Sequence, residues 1–397
     1  MKRSDALHPG RLAERQLQLD QERLAPRRSW SREPSLRATA RPLGADERAW
    51  AEITAEIERR KIARLSRSPL AFLRGSARLF YEMLSLVPSL GDGPLGTGTI
   101  VGDLHIENFG AYEPGPWKGP KGSEAPVFDV NDFDETFVGP LRWDLLRLVT
   151  SLLVGSRELG TTGPESIALA HGLFASYASA MFDGAPRPPD PPAVRSLLEQ
   201  AGHRTDVDLA APLVDASGRL RQSRRWLEPG PRIRSLVPQA LEVYREGLGA
   251  EGPKAAQLEP MDVAFRIAGT GSLGCLRLGV LVRGKKEPWI FDMKEESPPS
   301  ATAIMRLDRV EPAERVLSAM RTACVRAPAL AGKTSIDGAS MLVRRLAPEN
   351  DKLDLTEVPK EELPELTKYL GALVGAAHAR CVTDRGIAHR WTRGDTE

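Results

Sequence analysis

Apolar residues recur along this chain in two rhythms, and the alternation between them divides it. A helical rhythm follows the cap candidate Asp46 through AWAEITAEIERRKIARL, with Trp50, Ile53 and Ile57 on one face. It returns after Ser68-Pro69 in LAFLRGSARLFYEMLSLV, where Leu70, Leu73, Ala77 and Met83 or Leu84 line one side. Gly75 inside that pattern costs about 1 kcal/mol against Ala, which points to close packing or ligand approach there. Leu141, Leu145, Leu148 and Leu152 mark a further helix, GPESIALAHGLFASYASAMF another, and LTKYLGALVGAAHARC the last. The two-residue rhythm of strands appears in TIVGDL, in FDVNDFD, and later in CLRLGVLV, WIFDMK and MLVRRLAP. The expected fold class is therefore α+β.

Neither rhythm reaches residues 1–45, which are rich in Arg, Gln, Ser and Pro and read as a flexible basic arm, a solvated tail rather than a nucleic-acid grip. A helical domain is expected over 46–250, interrupted by the Pro-rich GAPRPPDPP. A β-rich domain follows over 251–350, and 351–397 returns as a helix and tail. A chain of 397 residues can bury cores for two such domains. The mean hydropathy of −0.30 suits a globular protein, and a net charge of +2 gives no argument for nucleic acid or membrane. Cys275, Cys324 and Cys381 are far apart, with no disulfide framework or zinc spacing, so a reducing cytoplasm is the expected setting. No apolar run approaches a membrane span.

Candidate chemistry lies where strands end. GDLHIENFG holds Asp103 and Asn108 at the Asp-x-x-x-x-Asn spacing of a kinase catalytic loop. FDVNDFD turns Phe128 and Val130 to one face and delivers Asp132 at the strand's end, with Asp134 two residues on. Phosphoryl transfer needs a carboxylate that orients the acceptor hydroxyl, and a carboxylate with an amide oxygen that hold Mg²⁺ on a triphosphate. His105 either joins Asp103 and the carboxylates near Asp132 in a mixed metal cluster or orients the loop through hydrogen bonds; the second is the commoner role. Arg74 either serves a phosphate or pairs with a carboxylate of the following loop, and the pairing is favoured.

Gly269, Gly271 and Gly274, with Ser272 among them, form a GxGxxG. A dinucleotide site would open a helix there, whereas CLRLGVLV reads as a strand and WIFDMK as the next, ending in Lys294. Strand, glycine loop, strand and lysine read either as a nucleotide clamp in which backbone amides cover phosphates or as a β-hairpin with an ordinary surface lysine, and the clamp is favoured. GDGPLGTGT lacks the Lys-Ser/Thr of a P-loop and receives no phosphate role. The arginine-rich GRLRQSRRWLEPGPRIR is either a solvated face or a receiver of anionic substrate, and the sequence leaves both open.

GDLHIEN resembles the HGDxHxxN loop of aminoglycoside-phosphotransferase-like kinases, and NDFDETFVGPLRWDLLRL resembles their IDFxxxxxGxxxWDLA segment. SPLAFLRGSA, GDLHIENFGAY, FDVNDFDET and GPLRWDLLRLVTSLL together resemble the uncharacterised bacterial DUF2252 family. The resemblance implies a two-lobed protein-kinase-like fold that binds ATP and Mg²⁺. Asp103 would be the base, Asn108 and Asp132 the metal ligands, and Lys294 with Gly269, Gly271, Ser272 and Gly274 the nucleotide clamp. Glu314 is the candidate ion-pair partner of Lys294, with Glu295, Glu296 and Glu311 competing. Asp144 would brace the catalytic loop. Val101 departs from the pattern, standing where those families carry a loop-bracing histidine.

The order of the pieces is inverted relative to a conventional kinase, because catalytic loop and Asp132 precede the glycine loop and Lys294. The resemblance therefore implies a circularly permuted chain, which requires residues 262–385 to fold back over the 100–145 site. The expected function is an ATP- and Mg²⁺-dependent phosphotransferase. The short span from Asp132 to Trp143 favours a small-molecule acceptor. The alternatives are a nucleotide-binding pseudokinase or regulatory module, and a kinase-like AMP transferase.

Overall fold

The computed structural model describes residues 18, 59, 61–91, 96–115, 125–249, 252–268, 275–348 and 350–383. The basic arm apart from residue 18, most of the helix begun at Asp46, and the segment holding Gly269, Gly271, Ser272 and Gly274 lie outside the described residues.

Ser68 caps α1 (Pro69–Arg74), its hydroxyl accepting from the Ala71 amide at 3.1 Å, and Pro69 supplies a pre-set first turn. The sequence suggests that this helix runs on through Gly75. Instead it ends there, and α2 (Ala77–Leu86) starts two residues later, because the Gly75 amide turns back onto Phe72 and Leu73. β1 (Thr97–Ile100) then pairs antiparallel with β4 (Phe137–Pro140), and β2 (Phe109–Tyr112) with β3 (Val127–Val130). These short strands frame the two acidic segments. β4 runs directly into α3 (Leu141–Glu158), followed by α4 (Gly163–Phe182) and α5 (Pro192–His203).

The last helix, α8 (Leu363–Cys381), lies along α4. Gly371 and Gly375 permit this approach, since a Cβ at either would meet the α4 backbone at Leu173 or Tyr177. α4 and α8 share one core with the acidic-segment strands and α3, including Leu104, Phe128, Leu148, Leu173 and Leu370.

The second body is a six-stranded antiparallel sheet in the order β5–β6–β7–β8–β10–β9. Its strands are β5 (Trp226–Leu227), β6 (Pro260–Arg266), β7 (Arg277–Val282), β8 (Trp289–Glu295), β9 (Gly332–Ile336) and β10 (Ala339–Arg345). One face packs on α6 (Pro231–Leu248) through Ile233, Val237 and Tyr244 against Val280, Phe291 and Met293. On the other, Leu220 and Trp226 cover Ala264, Leu281 and Ile290. This packing carries the β-rich unit back before residue 251, because β5 and α6 belong with the sheet rather than with the helices that precede them.

α7 (Pro312–Ala323) joins the two bodies, its Val316, Leu317 and Met320 lying in the first core while it packs beside β9 and β10. After β8 the chain makes only a short 3-10 turn, Ser300–Ala303, following Pro298-Pro299, before α7 begins at Pro312. A two-residue strand, β11 (Asp351–Lys352), pairs with β2 and returns the chain to the first body. The fold is thus mixed α+β. Among the described residues no helix is long and apolar enough to cross a membrane.

Candidate functional site

The loop after β1 is held by one buried carboxylate. Asp144, in the first turn of α3, accepts from the Val101 amide at 2.6 Å and from the Gly102 amide at 2.8 Å. Its Oδ2 also lies 3.3 Å from His378 Nε2 on α8, and the Tyr177 hydroxyl sits 3.0 Å from the other ring nitrogen. Gly102 turns the chain at a φ of +82°, with the Glu135 carbonyl where a Cβ would stand. The brace that the sequence leaves uncertain at Val101 is therefore built from the Val101 amide, not from a side chain at that position.

The turn presents Asp103 to Arg147. The Arg147 Nε donates to Asp103 Oδ1 at 2.6 Å, and its Nη2 donates to the Leu73 carbonyl at 2.6 Å. The guanidinium is 1 % exposed and lies over the Phe80 ring. Asp103 keeps 24 % of its side chain open. Burial pushes its carboxyl up to about 7, with Arg147 opposing the rise and Glu135 adding to it. Arg147 is absent from the residues picked out by motif. Its signal was an arginine three positions after Asp144, on the same face of α3 as Leu148 and Ser151, where a charge is out of place unless it has a partner.

Asn108 and His105 complete this loop. Asn108 is buried, and its Nδ2 donates to the Asp103 carbonyl at 2.7 Å, which leaves the amide oxygen without a hydrogen bond among the described residues. The Asn131 amide donates to the Asn108 carbonyl at 3.0 Å, so the two acidic segments are stitched together. His105 Nδ1 accepts from the Glu107 amide at 3.2 Å, and burial, Arg147 and Arg74 hold the ring neutral. It belongs to the loop's hydrogen bonding. Arg74 pairs with Glu107.

Across from this loop the sheet offers cations to the second acidic segment. Lys294 at the end of β8 forms an ion pair with Asp134 and lies 3.5 Å from Glu296 Oε1. Burial alone would lower its ammonium, but Asp134, Glu296 and Asp132 outweigh it and raise the pKa. For Asp134, burial works upward while Lys294 wins and holds the carboxyl below its usual range. Asp132 shifts upward through burial and the neighbouring Asp134, with Lys352, Lys294 and Arg344 opposing. Glu296 rises to about 8, through burial and Asp134. Arg344 on β10 donates to the Asn131 carbonyl at 3.0 Å.

Glu314 does not pair with Lys294. α7 buries Ala313, Val316, Leu317 and Met320, and this turns Glu314 outward to Lys333 on β9, 3.0 Å away. The next residue points into the site instead. Arg315 donates to the Asp134 carbonyl at 2.9 Å and to the Ser297 carbonyl at 2.8 Å. The partners of Lys294 are Asp134, from the other segment, and Glu296, two residues further along its own strand direction.

Among the described residues no three His, Cys, Asp or Glu side chains converge as a metal centre. Mg²⁺ with a triphosphate needs fewer protein groups, one or two oxygens with phosphates and water supplying the rest. The Asp132 carboxylate and the anchored amide of Asn108 fit that open set.

No curated protein matches the chain, and no solved structure does. The model of the family described as "Uncharacterized protein conserved in bacteria (DUF2252)" matches residues 54–396, and the chain belongs to that family.

Proposed function

We propose that the chain is an ATP- and Mg²⁺-dependent phosphotransferase of permuted kinase-like architecture, acting on a small-molecule acceptor. The observation that carries this reading is the ion pair between Lys294 and Asp134, 160 residues apart in sequence. It is the meeting that a permuted order demands, with the late glycine-segment sheet folded back over the early acidic loop. The glycine segment lies between β6 and β7, Lys294 stands one residue before the end of the next strand, and α7 follows, which supports assigning the sheet to the nucleotide clamp. Asp144 bound to the loop amides supports the same assignment for the catalytic loop.

In this mechanism Asp103 accepts the proton of the acceptor hydroxyl, and Arg147 fixes the direction of its carboxylate. Asp132 and Asn108 would hold Mg²⁺, which supplies charge neutralisation on the triphosphate. Lys294 exchanges Asp134 for phosphate oxygens when nucleotide enters. β4 passes straight from the acidic segment into α3, which leaves little room there for a peptide-docking segment and supports a small acceptor. A second reading, a nucleotide-binding module without turnover, is favoured by the engagement of Asp103 with Arg147.

The test is a thermal shift. Mg²⁺ with ATP should raise the melting temperature, because a ligand that binds only the native state stabilises it. Lys294→Ala should diminish the rise. No rise in wild type, or an undiminished one in the variant, removes Lys294 from a nucleotide site. Product labelling from γ- or α-labelled ATP then separates phosphoryl transfer, AMP transfer and mere binding.

A further inference from the structure

We infer that this site recognises a metal-bound triphosphate chain by charge and leaves the nucleobase unread, so that its ligand class is polyphosphate in general. The inference rests on the proposed function and concerns the sheet face that looks at Asp132 and Asp134.

Side chains on that face follow from the strand register. Lys294 on β8 stands opposite Arg277 on β7, and two residues back Asp292 stands opposite Gly279 and Arg344. Lys294 and Arg344 both touch the acidic segment, through the Asp134 carboxylate and the Asn131 carbonyl. The cations nearest the acids are therefore suited to phosphate oxygens.

Beyond them the face is already full. Asp292 is 6 % exposed and accepts from Arg277 Nε at 2.8 Å, while Arg266 Nη1 lies 2.8 Å from its Oδ1. Next along, the Trp226 ring abuts Gly279, where any Cβ would run into the ring. Arg266 sits over that same ring at 5.5 Å. Leu220, Ala264, Leu281 and Ile290 close the rest, all of them buried.

A purine base needs an apolar slot with a few placed polar groups. Here it would have to lift Trp226 from Gly279 or strip a buried carboxylate of its arginines. Uncovering a buried charge is strongly unfavourable. Among the described residues this face leaves no bare apolar strand surface beside Lys294. The base therefore projects away from the sheet while the phosphates occupy the cations.

Calorimetry on the whole chain with Mg²⁺ tests this with ATP, GTP, inorganic tripolyphosphate and adenosine. The dissociation constants of the three triphosphates should agree within about tenfold, since the shared phosphates supply the contacts. Adenosine should not bind, and Lys294→Ala should weaken all three triphosphates together. ATP tighter than tripolyphosphate by more than about tenfold, or binding of adenosine alone, would overturn the inference and leave the nucleotide-site reading standing. Binding of none of the four would overturn both. Triphosphate binding untouched by Lys294→Ala would place the ligand elsewhere and also overturn both.

Discussion

His378 Nε2 on the last helix lies 3.3 Å from Asp144 Oδ2 on α3, a contact across 234 residues of sequence. Through it α8 supports the loop that carries Asp103, because the same carboxylate holds the Val101 and Gly102 amides. The loop's geometry thus depends on the docking of α8 against α4, not on β1 alone.

Asp144→Ala should destabilise the fold by about 3 kcal/mol or more, since it strands two buried amide donors at about 1–3 kcal/mol each. Asp144→Asn, which keeps one acceptor oxygen, should cost less. Urea unfolding of the two variants gives the comparison. A loss of under about 1 kcal/mol for the alanine variant would mean that the loop is held by something else.

Asp132→Ala should abolish Mg²⁺-dependent nucleotide binding and leave the fold intact, because it removes one of two crowded carboxylates. Nucleotide and metal titrations beside circular dichroism decide this. An unfolded variant, with no metal binding by wild type, makes Asp132 structural.

Asp103→Asn should keep nucleotide affinity and lose turnover by about 10²–10⁴-fold, the usual contribution of a positioned base. With its carboxyl raised to about 7, Asp103 is the proton-accepting form only above that pH. Wild-type turnover should accordingly climb toward neutral pH and level off beyond it. Full turnover by the asparagine variant would withdraw the base assignment even if ATP binds.

Glu296 makes a prediction about stability and pH. Its folded pKa of about 8 lies above the ordinary 4.5, so between these values the native chain holds a proton that the unfolded chain has released. The group therefore favours the native state at low pH, and that stabilisation is lost as pH rises through the window. Glu296→Gln should not show this loss. The melting temperature of the variant minus that of wild type should grow from about pH 5 to about pH 8 and then level. A difference that is flat across this range would refute the shift.

Much of this site was legible in the sequence for a physical reason: residues at strand ends reveal themselves by where a two-residue rhythm stops. Asp132 and Lys294 stand out that way as candidates, and the structure brings their segments together through the Lys294–Asp134 pair. Arg147 and Arg315 do not stand out in the sequence because each lies in an otherwise ordinary helix and its importance comes from a partner remote in sequence, whereas Glu296 is one of the competing partners of Lys294 that the sequence offers. Glu314 was misplaced for a related reason. Spacing from Pro312 gives the helix, but only the burial of Ala313 and Val316 shows which side faces the site. Gly75 shows the limit of periodicity, which ran across a residue where the backbone stops the helix.

The register of β8 carries one more implication. Ile290, Asp292 and Lys294 share one face, while Phe291 and Met293 fill the core beneath α6. A slip of one residue would drive the lysine into that oily layer, present a methionine to Asp134, and strand the arginines that clasp Asp292. Misalignment is thus penalised by charge and by packing together. The lysine that would hold the phosphates also proofreads the sheet, and a chain that has closed the Lys294–Asp134 pair has, by that contact, certified its own strand alignment.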